Sequence, residues 1–219
     1  MTAAEQQQQS RIFSQPKEDG KGFIVDIYLS GAVTAPKDYI EEFQTLSVAT
    51  ADDEVFLKIN GPGGRIDAAI QWLAAIRNTK AKVTGVIEGM CHSAYTYLFL
   101  ACDEWIVNPH CLMMIHNYSG GAGGKGKEIL EQAHANNDLI EELMGTVYQH
   151  FLTKDEIDRV NLNQDIWLTT EEIYDRLGKV VEYRTALYEA AESEAYIELQ
   201  ERKENEESGS DSVEGSDSE

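Results

Sequence analysis

The sequence predicts an α/β layered fold with mostly parallel strand pairing, because apolar runs of strand length alternate with stretches of helical periodicity. Glycine-rich junctions, Asn60–Gly64 and Ser119–Gly126, separate several of these runs. With 219 residues, 42 % hydrophobic and 26 % charged, the chain suits one domain plus a tail and is long enough to bury a sizeable core.

Residues 1–22 are polar, with a glutamine run and Pro16, Gly20 and Gly22, and read as a flexible N-terminal arm. Phe23–Leu29 is a first strand. Pro36 then opens a helical pattern through about Ala49, with Tyr39, Ile40, Phe43 and Leu46 on one face. Glu54–Ile59 is a second strand, ended by Asn60-Gly61-Pro62-Gly63-Gly64, and a helix follows from Arg65 to Asn78. Lys82–Ile87 is a third strand, and a helix starts near Ser93 and runs to Ala101. Glu104–Val107 and Cys111–Ile115 are short strands, the second ending at His116. A long helix is expected over Lys127–Phe151, and capping boxes at Thr153…Glu156 and Thr169…Glu172 mark two more helix starts. Val180–Tyr183 reads as a last short strand, 185–203 as a C-terminal helix, and 204–219 as a disordered acidic, serine-rich tail.

The formal net charge is -21, and Glu189–Glu219 holds 12 acidic against 2 basic residues, so about half the excess sits at the end of the chain. Such acidity argues against nucleic acid or an anionic membrane as partner, since both are polyanions. Cys91, Cys102 and Cys111 match no disulfide or zinc spacing and read as reduced, buried thiols. The start lacks a basic, then apolar, signal pattern, and no apolar run is long enough to span a bilayer. A soluble, cytoplasmic protein is expected. No metal-ligand motif appears, and neither metal nor cofactor is expected.

Four places could carry chemistry. Gly89…Ser93-Ala94 lies between a strand and an apolar helix, where a sharp turn can lift a hydroxyl above the sheet and helix N–H groups can stabilise an oxyanion. Ser93 reads equally as a helix N-cap. Gly63-Gly64 permits close backbone approach to a substrate; the same letters make a tight turn or a poor phosphate cradle, with no Gly-Lys-Ser following. His116 ends a strand at the rim, a place for a base or for a structural histidine. His92, beside Ser93 in sequence, competes with it, although triad partners come from separate elements. Asp165 could orient a histidine or simply face solvent. Local residues alone leave these alternatives open.

The order of segments resembles the proteolytic subunit of Clp-type ATP-dependent serine proteases, from about Ile27 to Val181. Ile27–Val33 is similar to the family's I-x-L-[ST]-G-x-V, and Leu57–Gly64 to its I-N-S-P-G-G loop. Gly89…Ser93-Ala94 matches its G-x-x-x-S turn, Met113–His116 with Gly120-Gly121 its M-I-H…G-G segment, and Asp165–Thr169…Glu172 its aspartate segment. The resemblance implies a Clp-protease/crotonase-like repeated ββα superhelix with a long handle helix, the catalytic domain covering 23–184. It implies Ser93 as nucleophile, His116 as base, Asp165 as orienting acid, and the N–H groups of Gly64 and Ala94 as oxyanion hole. It also implies unfolded polypeptide substrates, homo-oligomeric heptameric rings stacked in pairs, and an AAA+ unfoldase that feeds them.

The chain departs from that pattern in several places. Gly61 stands for the usual serine, Asn117-Tyr118 for Gln-Pro, Cys91-His92 for small residues, and Gln164 for an arginine. The divergence and the acidic tail suit a phage-encoded member. Two rival functions share the fold: a crotonase-type acyl-CoA enzyme, and a phage head-maturation or scaffold protein.

Overall fold

A computed structural model describes residues 11–121 and 123–210 of the chain. The chain divides into two compact units, Met1–Arg176 and Leu177–Glu219. The described strands are β1 (Ile12–Pro16), β2 (Phe23–Val33), β3 (Glu54–Gly64), β4 (Lys82–His92), β5 (Glu104–Val107), β6 (Leu112–Ile115) and β7 (Ile166–Thr169). The helices are α1 (Ile40–Val48, after a 3₁₀ turn at Pro36–Tyr39), α2 (Ile66–Asn78), α3 (Ala94–Ala101), α4 (Gly126–Val147), α5 (Lys154–Asn161) and α6 (Thr170–Ser210).

The strands form one mixed sheet in the order β1-β2-β3-β4-β6-β7. β2, β3 and β4 run parallel, and β1 and β7 pair antiparallel with their neighbours. β5 and β6 take successive stretches of one edge of β4, β5 along Thr84–Ile87 and β6 along Met90–His92. The α/β class and its parallel centre therefore hold.

Burial explains the elements. On β3, Val55, Leu57 and Ile59 are wholly buried and alternate with half-buried Phe56 and Lys58, the period-2 pattern of a sheet face. Val83–Ile87 of β4 is buried on both faces, as a central parallel strand should be. α2 turns Ala68, Ala69, Trp72, Leu73 and Ile76 inward, and Trp72 meets Tyr39 and Phe43 edge-on at 5.5 and 5.1 Å. α3 is buried from Ala94 to Leu100, so it is apolar all round and carries no stripe.

The structure corrects four expectations. β2, β3 and β4 run on through the junctions at which they were expected to end, to Val33, Gly64 and His92. Parallel pairing resumes after register shifts between Ser30 and Ala32 and between Ile59 and Gly61, which keeps these backbone groups bonded. Part of the N-terminal arm is a strand: β1 pairs Ile12 with Ile27 through Pro16 with Phe23, closed by a turn in which the Lys17 N–H donates to the Gly22 carbonyl. Residues 1–10 lie outside the described residues. Val180–Tyr183 is helical within α6, because the Thr169…Glu172 box starts a helix that one interior glycine does not stop. α6 also carries through 204–210, where the disordered tail was expected to begin; 211–219 lies outside the described residues.

Both capping boxes form, with Thr153 and Thr169 N–H donating to Glu156 and Glu172 carboxylates at 2.9 and 2.8 Å. Glu156 also takes a two-pronged bond from Arg176 at 2.7 and 2.9 Å, and that guanidinium holds its carboxyl down at about 2. Glu156→Gln should lower stability by about 2 kcal/mol at neutral pH, read as the midpoint of thermal unfolding. A depressed carboxyl pKa stabilises above its ordinary value of 4.5 and stops doing so as pH falls towards about 2, so the difference between wild type and variant should close over that window.

Candidate active site

Ser93 sits where β4 turns into α3. Its N–H donates to the Met114 carbonyl at 2.8 Å, prolonging the β4–β6 pairing by one residue. Its backbone then takes φ 53° and ψ -124°, a conformation that ordinary side chains rarely adopt. The hydroxyl of an N-cap serine would accept a backbone N–H of the first helical turn, and the Ser93 hydroxyl accepts none. Its Oγ lies 2.7 Å from His116 Nε2 instead. The hydroxyl serves the histidine, not the helix.

His116 follows directly on β6, so the register Cys91↔Met113 and His92↔Met114 brings it alongside the Ser93 turn. Beyond it, Asn117 Nδ2 donates to the Asn161 carbonyl at 3.4 Å, and Asn117 Oδ1 accepts the Tyr118 N–H at 2.8 Å. The end of β3 closes the other side. Gly63, at φ 82°, is so near the turn that a Cβ there would stand 2.7 Å from both the Ala94 nitrogen and Ser93 Cβ. Gly64 and Ala94 line one cavity of about 150 Å³ together with Ser93 and His116, walled by Ile66, Tyr97, Tyr118 and Ile140. A larger cavity of about 500 Å³, between the β1–β2 hairpin and α1, is lined by no serine–histidine pair. Its Asp53 carboxylate is already taken by Thr50 and the Phe23 N–H.

Asp165 is the residue before β7. The β6–β7 ladder runs from Leu112↔Thr169 to Ile115↔Ile166, so His116 and Asp165 each adjoin its last pair. The Asp165 side chain is exposed, and among the described residues no hydrogen bond joins it to His116. Four of the five expected residues thus share a cavity, and the fifth stands at the same end of the ladder as His116, unbonded.

His92 is placed differently from its rival role. It faces Met114 across the ladder, its ring meets the Trp167 ring edge-on at 5.3 Å, and its Nε2 is buried without a partner. Burial, and then the nearby His116, hold its pKa below the usual 6.5. Tyr97, Tyr118 and Ile140, which wall the cavity, carried no signal in the sequence. Cys91, Cys102 and Cys111 are buried thiols. Among the described residues no cluster of three or more His, Cys, Asp or Glu could hold a metal ion, and no helix is long and apolar enough to cross a membrane.

The family model of Clp protease matches residues 21–177, which is most of the chain and includes every residue of this cavity. The chain belongs to the Clp protease family. It is similar to the ATP-dependent Clp protease proteolytic subunit of Ostreococcus tauri, 28 % identical over 131 residues, covering 58 % of this chain and 64 % of that one. The corresponding subunit of Bacteroides thetaiotaomicron is 28 % identical over 155 residues, covering 69 % and 67 %. Proteolytic subunit 1 of Gloeobacter violaceus is 25 % identical over 174 residues, covering 74 % and 82 %. The chain spans just under two thirds of the Ostreococcus subunit's length, and these identities mark a divergent Clp protease member.

Two outcomes follow from the packing around Ser93. Gly63→Ala should cost about 2 kcal/mol or more, from a disfavoured positive φ and a methyl group forced into the turn, read by thermal unfolding. Burial disfavours the charged form of His92 in the fold, so it takes a proton more readily once unfolded. Its lowered pKa therefore stabilises above the ordinary imidazole value of 6.5, and that contribution is lost as pH falls below it. His92→Leu should accordingly lose less thermal stability than wild type between about pH 7.5 and about pH 5.5.

Proposed function

We propose that this Clp protease member is a serine endopeptidase that hydrolyses peptide bonds of unfolded polypeptides. Ser93 is its nucleophile, His116 its base and Asp165 the residue that orients His116. The 2.7 Å contact between Ser93 Oγ and His116 Nε2, made from a strained turn, is the observation that carries this reading.

The chemistry is acyl transfer. As Ser93 Oγ bonds to the scissile carbonyl carbon, His116 Nε2 takes its proton. The carbonyl oxygen becomes an oxyanion, to which the N–H groups of Gly64 and Ala94 donate in the cavity they share with Ser93. His116 returns the proton to the leaving amine as the C–N bond breaks, and water then hydrolyses the ester by the same steps in reverse order. Asp165, at the same end of the β6–β7 ladder as His116, needs only to turn inward to accept from Nδ1 and hold Nε2 towards the serine.

In this reading copies of the chain assemble into heptameric rings stacked in pairs, in the cytoplasm, and an AAA+ unfoldase delivers substrate. The enclosure keeps a peptidase of low specificity away from folded proteins. α4 supports the assembly, because Leu130 and Leu139 are 62 % and 45 % exposed and leave apolar surface for a second copy to cover. A crotonase-type acyl-CoA enzyme would use the two N–H groups but has no need of a serine–histidine contact.

A fluorophosphonate probe should label Ser93, and Ser93→Ala should abolish both labelling and peptide cleavage. Asp165→Asn should lower kcat by roughly 10²- to 10⁴-fold while leaving the fold intact. The reading fails if assembled wild-type protein is never labelled, or if it binds CoA thioesters equally well with and without the Ser93 hydroxyl.

A further inference from the structure

Beneath the nucleophile runs a buried hydrogen-bonded chain that the reaction above does not use. The Thr96 N–H and Oγ1 both reach the Ser93 carbonyl, at 2.9 and 2.6 Å. The same Oγ1 lies 2.6 Å from the hydroxyl of Tyr148, the residue that ends α4. Thr96 is 0 % and Tyr148 1 % exposed, so water does not compete for these bonds.

The direction of the chain is determined. A threonine hydroxyl has one proton, and here it goes to the Ser93 carbonyl, which can only accept. Tyr148 must then donate to Thr96. Burial pushes the Tyr148 phenol well above its ordinary pKa, so it keeps the proton it needs to give. Tyr148 is in turn held by ring stacking on Tyr97, a wall of the active cavity, at 5.1 Å. Its N–H bonds to the Met144 carbonyl.

The Ser93 carbonyl and the Ala94 N–H belong to one planar trans peptide, so fixing the carbonyl aims the N–H the opposite way. A residue at φ 53° and ψ -124° stays there only if its surroundings hold it. We propose that Thr96 and Tyr148 are positioning residues of this peptidase. By gripping the Ser93 carbonyl they aim the Ala94 N–H at the oxyanion, and they make that aim depend on how the end of α4 is packed. The inference rests on the serine peptidase reading above.

The test is steady-state cleavage of a fluorogenic peptide by the full chain, with inhibition by a peptide boronate as a tetrahedral mimic. Thr96→Val keeps the shape but removes the hydroxyl; it should lower kcat by roughly 10- to 100-fold, with KM changed less than about 2-fold. Boronate affinity should weaken by the same factor as kcat, and the pH profile should keep its shape. Thr96→Ser should restore most of the rate, and Tyr148→Phe should lower kcat by about 10-fold. The inference is overturned if Thr96→Val matches wild type, if its loss appears in KM, if it only tracks the folded fraction seen by circular dichroism, or if Thr96→Ser fails to rescue. Wild-type protein with no cleavage and no probe labelling at Ser93 would instead bring down the peptidase reading, and this inference with it.

Discussion

The parallel pairing of β4 with β6 carries the candidate site. It places Cys91 and His92 beside Met113 and Met114, and the Ser93 N–H continues the ladder by bonding to the Met114 carbonyl. That last bond stops the strand at a defined residue, forces the chain to turn at Ser93, and leaves His116 two residues beyond Met114 on the same face. β7 pairs with the far side of β6 up to Ile115↔Ile166, which brings Asp165 to the same end of the ladder as His116. A slip of one residue in β6 would turn His116 to the other face and exchange it for the buried Ile115.

The third wall depends on missing side chains. At Gly63 a Cβ would press on Ser93 and Ala94, so β3 can approach the turn only with glycine there. The same logic accounts for Gly61, which stands where the family pattern has serine. A Cβ at 61 would run into the Gly31 carbonyl oxygen and stand 2.7 Å from the buried Tyr95 ring. The neighbouring backbone of β2, the large tyrosine and the absent side chain make one packing solution. His92 and Trp167 form another, since a ring in place of a small residue needs the aromatic face that β7 offers. Burial, and then the nearby His116, disfavour the charged form of His92 there.

These features link local strain to distant packing. Ser93 holds a conformation that costs about 1–3 kcal/mol, and its neighbours in β3, β6 and α3 restrain it from three directions. The buried aromatic layer behind it, Tyr97 on Tyr148, joins α3 to the end of α4. α4 itself turns only Ile140 and Met144 fully inward, and its C-terminal end stays tied to α3 through Tyr148.

What the sequence determined alone was whatever local rules control. The strand and helix alternation, the buried stripe of α2, the capping boxes at Thr153 and Thr169, and the order of the Ser93, His116 and Asp165 segments were all legible before any contact was known. Periodicity and capping act within a few residues, which is why they could be read. Tertiary structure decided the rest. Whether Ser93 caps a helix or meets a histidine is settled by β6, which lies well over a dozen residues away in the chain. Polar composition hid β1, whose strand exists only because Ile12–Pro16 finds the free edge of β2. Val180–Tyr183 looked like a strand from its valines, but among the described residues no sheet edge pairs with it, and the helix begun at Thr169 runs through it. Thr96 and Tyr148 gave no sign at all, because a threonine inside an apolar helix and a tyrosine ending a long one have ordinary propensities. Only burial, which leaves each with the other as its partner, makes them a unit.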